Sequence, residues 1–447
     1  MTTTSAASAL HPDDVGDEMH RWLRDLFPIC RSITGPGVRQ TIRYLQSLLP
    51  GLKMEAIPSG ERVYDWTVPD EWTVNDAYVS NENGDRIIDF RSNNLHLVGY
   101  SEPVDRWLDL AELQQHLHSL PEQPDAIPYV TSYYERRWGF CLTENQRRAL
   151  PPGMYRAVVQ SGLSPGVLNY AELVLPGILE QEVLLSTYVC HPSMANNELS
   201  GPVVATALAR WLMKQPSRKY TYRIVFVPET IGAIVYIGKN LPLLKRNTVA
   251  GFQITCIGDE RAYSFLSSRS GNTLSDRIGE HVLKHWAPGY KKYSYIDRAS
   301  DERQYCSPGV DLPVASIMRS KYGEYAEYHT SLDNMDLVTS KGLEGGYMAL
   351  RLAIQCIEGN CVPRTLVLCE PQLGKRGLYP TISTKTSAVP VKNMMNLIAY
   401  ADGARDLAEI AEIIGAPMWE LMSLVEKLQD HGLMKIVDGA RATVAAT

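Results

Sequence analysis

The sequence lacks the features that would place it in a membrane, in the secretory pathway or on a nucleic acid. No apolar run reaches the roughly 18 residues that a membrane-spanning helix needs, and the start MTTTSAASALHPDD carries no apolar signal-peptide core. There is no Cys-x-x-Cys pair; the eight cysteines are irregularly spaced, and several, such as Cys190 and Cys256, lie in apolar strand-like segments. This argues against a disulfide framework or a cysteine zinc knuckle and predicts reduced, mostly buried thiols in a soluble, cytoplasmic protein. Long basic blocks are missing too. With 44 Lys and Arg against 50 Asp and Glu, the formal charge is −6, so the expectation is no nucleic-acid partner and no membrane partner held by charge.

A chain of 447 residues exceeds one compact core, and two or three domains are expected. From about Asp14 to Leu49 the pattern is helical, with VRQTIRYLQSLL apolar at three- and four-residue intervals. Between roughly Arg62 and Glu172, short β-like pieces (RVYDWTVPDEWTVNDAYVSN, RIIDF, NLHLVGY) alternate with Asn, Gly, Asp and Pro turns. Strand–helix alternation follows: EVLLSTYVC, GPVVATALARWLMK, YRIVFVP, IGAIVYIGKNL, VAGFQITCIG. Such alternation predicts an α/β fold with a mixed, mostly parallel sheet flanked by helices. The expected layout is a catalytic domain of residues 1–61 and 173–365, an inserted β-rich domain of 62–172, and a third domain of 366–447. In that last part, DLAEIAEIIGAPMWELMSLVEKLQDHGLMKIVDG outlines a winged helix. Its second helix offers one lysine and one glutamine among Met, Trp, Leu and two glutamates, a poor surface for reading DNA. Packing or a homodimer contact is the expected role.

Catalytic residues of open α/β sheets gather where strands end, because the loops there converge on one crevice. His191 follows STYVC, Asn196, Asn197 and Glu198 precede the next helix, Glu229 follows YRIVFVP, and His329 lies in EYAEYHTSLDNMD. Two histidines and a carboxylate from separate loops suit a catalytic zinc with one position left for water, and a further glutamate suits proton transfer. Each residue also has a plainer reading. His191 before a proline suits a strand cap, Glu198 and Glu229 suit helix entries, and His329 suits a pair with Asp333.

The ordered motifs CHPSMANNELSG, VPETIGAI, SDERQYCSPG and YHTSLDNMD resemble the zinc aminopeptidases of the bacterial leucine aminopeptidase type and the related glutaminyl cyclases. The likeness is closer to the aminopeptidase-like proteins encoded beside polysaccharide or secondary-metabolite genes, and there it covers nearly the whole chain. It implies that His191 is the first metal histidine, His329 the last, and Glu229 the general base. It also implies departures. The bridging aspartate falls on Asn197, the second of the Glu-Glu pair on Thr230, and the remaining ligand aspartate near Thr255. Neutral oxygens do not offset two dications, so the expectation is one Zn2+ held by His191, Glu198 and His329. Asp301 matches an acidic substrate-holding residue of the cyclases, and Arg303 and Tyr305 beside it are expected to touch substrate.

TSYYERRWGFC in the insertion, and Arg31 and Arg39 in RSITGPGVR, suit either a binding wall or ordinary structure. The resulting expectation is a zinc-dependent metallopeptidase-like hydrolase cleaving an amide or peptide-type bond of a small-molecule or peptide substrate. The alternatives are a non-catalytic glycan- or peptide-binding scaffold and a glutaminyl-cyclase-like acyl transferase.

Overall fold

The computed structural model describes residues 15–378 and 385–437, with the side chains of 385–390 excepted. The polar start singled out above, Met1 to Asp14, lies outside the described residues, as do residues 438–447. Two compact units are present. The first holds the described residues up to Ser275 together with Lys291–Met348; the second holds Asp276–Tyr290 and the described residues from Ala349 on.

An eight-stranded sheet organises the first unit, in the order Lys53–Pro58, Val167–Leu175, Thr221–Val227, Glu182–Tyr188, Thr248–Gln253, Val314–Met318, Ser264–Leu266, Lys291–Tyr293. Its centre is parallel, Glu182–Tyr188 running beside both Thr221–Val227 and Thr248–Gln253, and the latter beside Val314–Met318. Antiparallel pairs join Val167–Leu175 to both of its neighbours. The sheet is thus mixed, as expected. Glu182–Tyr188 is buried along its whole length, and each fully buried Val or Leu in it contributes about 1.5–3 kcal/mol. The charged end is tolerated because Arg223 grips Glu182 with two bonds of 2.7 Å.

The central strands deliver their carboxyl ends to helices. Ser200–Met213 starts so close to the sheet that a Cβ on Gly201 would sit 2.4 Å from both Ile254 O and Thr187 Oγ1; only glycine fits. A second sheet, in the order Arg86–Asp89, Glu71–Ser80, Met154–Ser164, Val104–Asp109, forms the β-rich part between the first and second strands of the main sheet. Among the described residues no helix is long and apolar enough to cross a membrane.

In the second unit, Leu407–Ile414 and Met418–Asp430 form a helical pair, and Val362–Thr365 pairs antiparallel with Met434–Val437. Asp406 starts the first helix with a capping box to Glu409, and Gly415 at φ 67° ends it. This is the winged-helix outline.

Candidate functional site

His191 leaves the sheet just past Tyr188, and a single π-helical turn, Ala195–Leu199, follows before the long helix begins. Such turns re-aim side chains and concentrate at functional sites. The turn is held from outside by Asp333, whose Oδ1 accepts the Asn196 N–H at 2.6 Å and whose Oδ2 accepts the Asn197 N–H at 2.9 Å. Asp333 is fully buried, and burial raises its pKa to about 6. It therefore ties the His329 loop to the His191 loop; the bond to His329 considered from sequence is replaced by these.

The turn points Glu198 at His191. Glu198 Oε2 lies 2.7 Å from His191 Nδ1, and His191 Nε2 lies 3.4 Å from Glu229 Oε2. A carboxylate only accepts, so Nδ1 carries a proton, and Nε2 is the nitrogen on the Glu229 side; against the pull of burial, Cys190 and Glu198 raise the pKa of His191. Arg31 lies behind: its Nε is 2.9 Å from the His191 carbonyl oxygen and 3.7 Å from Glu198 Oε1, both side chains fully buried. The imidazole of His329 sits 5.5 Å from that of His191, ring centre to ring centre. Burial first, and the neighbouring His191 second, lower the pKa of His329 to about 3, so it presents a neutral ring.

Glu229 heads the next loop, its N–H 3.2 Å from Cys190 Sγ. Burial raises its pKa, against the opposing charges of His191 and Arg303. Thr230 follows at φ 65°, ψ −81°, and His329 sits at φ 57°. A β-branched residue such as Thr230 seldom adopts a positive φ, and such strain collects at functional sites. Two neighbours hold Thr230 there: Asp301 Oδ1 accepts its N–H at 2.7 Å, and Arg303 Nη2 donates to its hydroxyl at 2.5 Å. Asp301 is buried, its Oδ2 without a hydrogen-bond partner among the described residues, and burial, then Glu229, push its pKa well up.

The residues expected to line the site thus divide. His191, Glu229 and His329 converge, and Asp301 and Arg303 brace Thr230 beside them. Tyr305 does not join them: it is fully buried, its hydroxyl 2.8 Å from Ser186 Oγ, and it belongs to the sheet core. Glu198 faces Nδ1 of His191, the nitrogen opposite the one that faces Glu229.

Among the described residues, two groups of ligand-type side chains have donor atoms within 4.8 Å of one another, Cys190–His191–Glu198 and His281–His285–Glu412. The first leaves no room for a cation, since His191 bonds Glu198 directly and the Arg31 charge is adjacent. In the second, His281 already uses both nitrogens. Nδ1 pairs with Glu412 at 2.5 Å and Nε2 accepts the Met418 N–H at 2.9 Å.

Two of the three positions of the missing carboxylates, Asn197 and Thr255, are joined by neutral bonds. Asn197 Nδ2 donates to Tyr188 OH at 2.9 Å, Tyr188 OH lies 2.6 Å from Thr255 Oγ1, and Thr255 Oγ1 donates to the Asn197 carbonyl at 2.9 Å. Sequence reasoning did not single out Tyr129. Its ring lies 5.2 Å from both imidazoles, and its N–H donates to the His329 carbonyl at 2.9 Å. The signal was the aromatic cluster a few residues later, TSYYERRWGFC, which gave no hint of where it folds.

Fold and strand-end residues together define an aminopeptidase-like α/β protein. Residues 20–360 match the family described as a domain of unknown function, DUF4910, and residues 361–436 match a winged helix-turn-helix family. The chain belongs to this DUF4910 family. It is 42% identical over 427 residues, 95% of this chain and 97% of the relative, to a Clostridium acetobutylicum protein provisionally named a polysaccharide biosynthesis protein with an aminopeptidase-like domain. A crystal structure from the same organism, provisionally described as a peptidase, superposes with TM-score 0.90 at 41% identity, covering 95% of this chain and 97% of that one. The zinc aminopeptidase of Bacillus subtilis shares the fold alone, with TM-score 0.55, 10% identity, and 76% of this chain and 94% of that chain covered.

Proposed function

We propose that the protein is a zinc-dependent hydrolase acting on an amide or peptide-type bond of a small substrate. One observation carries the reading: Glu198 holds Nδ1 of His191, so that Nε2 faces Glu229 at 3.4 Å with His329 alongside. A histidine whose far nitrogen is fixed by a carboxylate is how proteins present imidazole to a metal. Two imidazoles offer the nitrogen donors that zinc prefers.

His191 and His329 would hold the ion. Glu198 acts in this reading through His191, as the carboxylate behind it, in place of the direct ligation expected from sequence. The neutral Asn197–Tyr188–Thr255 bonds supply no anion for a second ion, which supports a single one. When bound, zinc would polarise the substrate carbonyl and lower the pKa of its water toward about 7.

Glu229 takes up the proton of the attacking water and returns it to the leaving nitrogen; the burial that raises its pKa brings it nearer the range a general base needs. Thr230, strained and held by Asp301 and Arg303, fixes the backbone that carries Glu229. The name of the Clostridium relative directs the substrate search to polysaccharide precursors.

The test is Glu229→Gln assayed on a panel of aminoacyl amides and N-acyl sugars. Turnover should fall by several orders of magnitude while zinc content stays at one ion per chain. Wild-type turnover in the variant, or two zinc ions per chain, would contradict the reading. A binding scaffold is favoured by the lost carboxylates, and it would bind members of the same panel without converting any.

A further inference from the structure

We propose that Tyr133, supported by Tyr129, donates its hydroxyl proton to a carbonyl-type oxygen of the substrate at this site, so that the inserted β-rich part supplies a catalytic group. The inference rests on the hydrolase reading for its reaction but on separate residues for its geometry.

The two phenol oxygens lie 2.6 Å apart. Each phenol owns one hydrogen and can also accept one. Of the two hydrogens, one is used between them; the other has no acceptor among the described residues. A half-buried hydroxyl with an unused hydrogen is costly unless a ligand or water takes it. Burial pushes the Tyr133 phenol well above the ordinary range, which keeps it a protonated donor.

Position makes the donor useful. The ring of Tyr129 lies against both imidazoles at 5.2 Å. Its backbone is pinned to the histidine loop: the Tyr129 N–H bonds His329 O, the Ser331 N–H bonds Ile127 O, and Pro128 pairs with Thr330. Burial, and less strongly the nearby Glu229, raise the pKa of Tyr133. Either phenol can be the donor of the shared bond; with Tyr129 as donor, the Tyr133 hydrogen is the one left for a ligand. On its other side Tyr133 packs edge-on against Tyr100, 5.2 Å between centres, and the Tyr100 hydroxyl is already engaged with Thr34 and the Asp70 carbonyl. A donor held in place before substrate arrives stabilises the charge that grows on the oxygen during attack.

The ligand class that follows is an acyl compound, a carbonyl oxygen reaching the Tyr133 hydroxyl while its carbon faces Glu229. The probe is acetohydroxamate, titrated by calorimetry into the zinc-loaded full chain. Tyr133→Phe should weaken its binding at least tenfold, whereas Tyr129→Phe, which leaves the outward proton in place, should weaken it less than about threefold. Thermal midpoints report whether each variant is folded, and 3-fluorotyrosine at position 133 gives a variant of nearly unchanged shape. Its more acidic phenol should tighten binding. Unchanged affinity in Tyr133→Phe, no tightening with fluorotyrosine, or no binding to the wild type would each overturn the inference. A wild type that turns over nothing in the amide panel but still shows the Tyr133 dependence would sink the hydrolase reading and leave this one standing.

Discussion

Glu198 lies 2.7 Å from the ring nitrogen of His191 that faces away from Glu229. That bond fixes the orientation of the imidazole, and it explains why a glutamate is buried without any exposure in the middle of the fold. Glu198→Gln can still accept a hydrogen bond but removes the charge. It should lower zinc affinity by about 10- to 100-fold, the usual effect of losing a carboxylate behind a metal histidine, as measured by competition with a chelator. Affinity equal to wild type would show that the carboxylate has no such role.

Arg31 is the counter-charge of this arrangement, 3.7 Å from Glu198 and 1% exposed. Arg31→Met leaves Glu198 buried without its arginine counter-charge, bonded only to His191. Breaking one side of a buried pair costs about 3–5 kcal/mol, so the denaturant midpoint of the variant should drop clearly. The double variant Arg31→Met, Glu198→Gln should recover part of the loss. A double variant no better than Arg31→Met would show that the charge pairing is not what stabilises the pair.

Asp333→Ala removes the acceptor for two buried backbone N–H groups, those of Asn196 and Asn197, and for the Tyr325 hydroxyl at 3.0 Å. An orphaned buried donor costs about 1–3 kcal/mol. The expected loss in thermal unfolding is at the upper end of the range for point mutants. Hydrogen exchange should quicken at residues 196 and 197 first.

His281 sets a pH dependence in the second unit. Facing it are Glu412, Lys284, His285 and the ring of Trp419, with the Met418 N–H on its Nε2. Burial lowers its pKa, against the pull of Glu412. The unfolded chain therefore binds a proton here at a higher pH than the folded one does. The stability this neutral histidine contributes is present above about pH 6.5 and is lost as the pH falls through its depressed folded value. Thermal unfolding should show the second unit weakening between pH 7 and pH 5, and His281→Gln should flatten that slope. An unchanged slope would remove His281 as the cause.

The exposed face of Met418–Asp430 carries Glu420, Glu426 and Asp430 against Lys427. Phosphate contacts need the opposite balance. Mobility-shift assays at low salt should show no retention of duplex DNA; salt-sensitive retention would return this helix to a reading role.

Much of the site was legible because burial leaves a pattern in one dimension. Nearly unbroken apolar runs such as YRIVFV mark central strands, and His191 and Glu229 stand directly after two of them. Local polar chemistry blurred other segments. NLHLVGY looks like a strand, yet the Asn93 side chain accepts the Leu95 N–H and turns residues 94–96 into a 3-10 turn. Tyr305 has the composition of a binding loop and the burial of a core residue. Which face it took depended on Ser186, far away in the chain.

The order of residues alone determined the class of fold, the strand ends where chemistry gathers, and the loss of the anions that a second metal would require, because hydrophobic period and residue type are local properties. Only the tertiary structure decided which nitrogen of His191 faces Glu229, that Arg31 backs Glu198 from 167 positions away, and that a phenol from the inserted part reaches the histidines. Hydrogen-bond direction and charge pairing act over a few ångströms of space, and no spacing along the chain records which distant residues come that close.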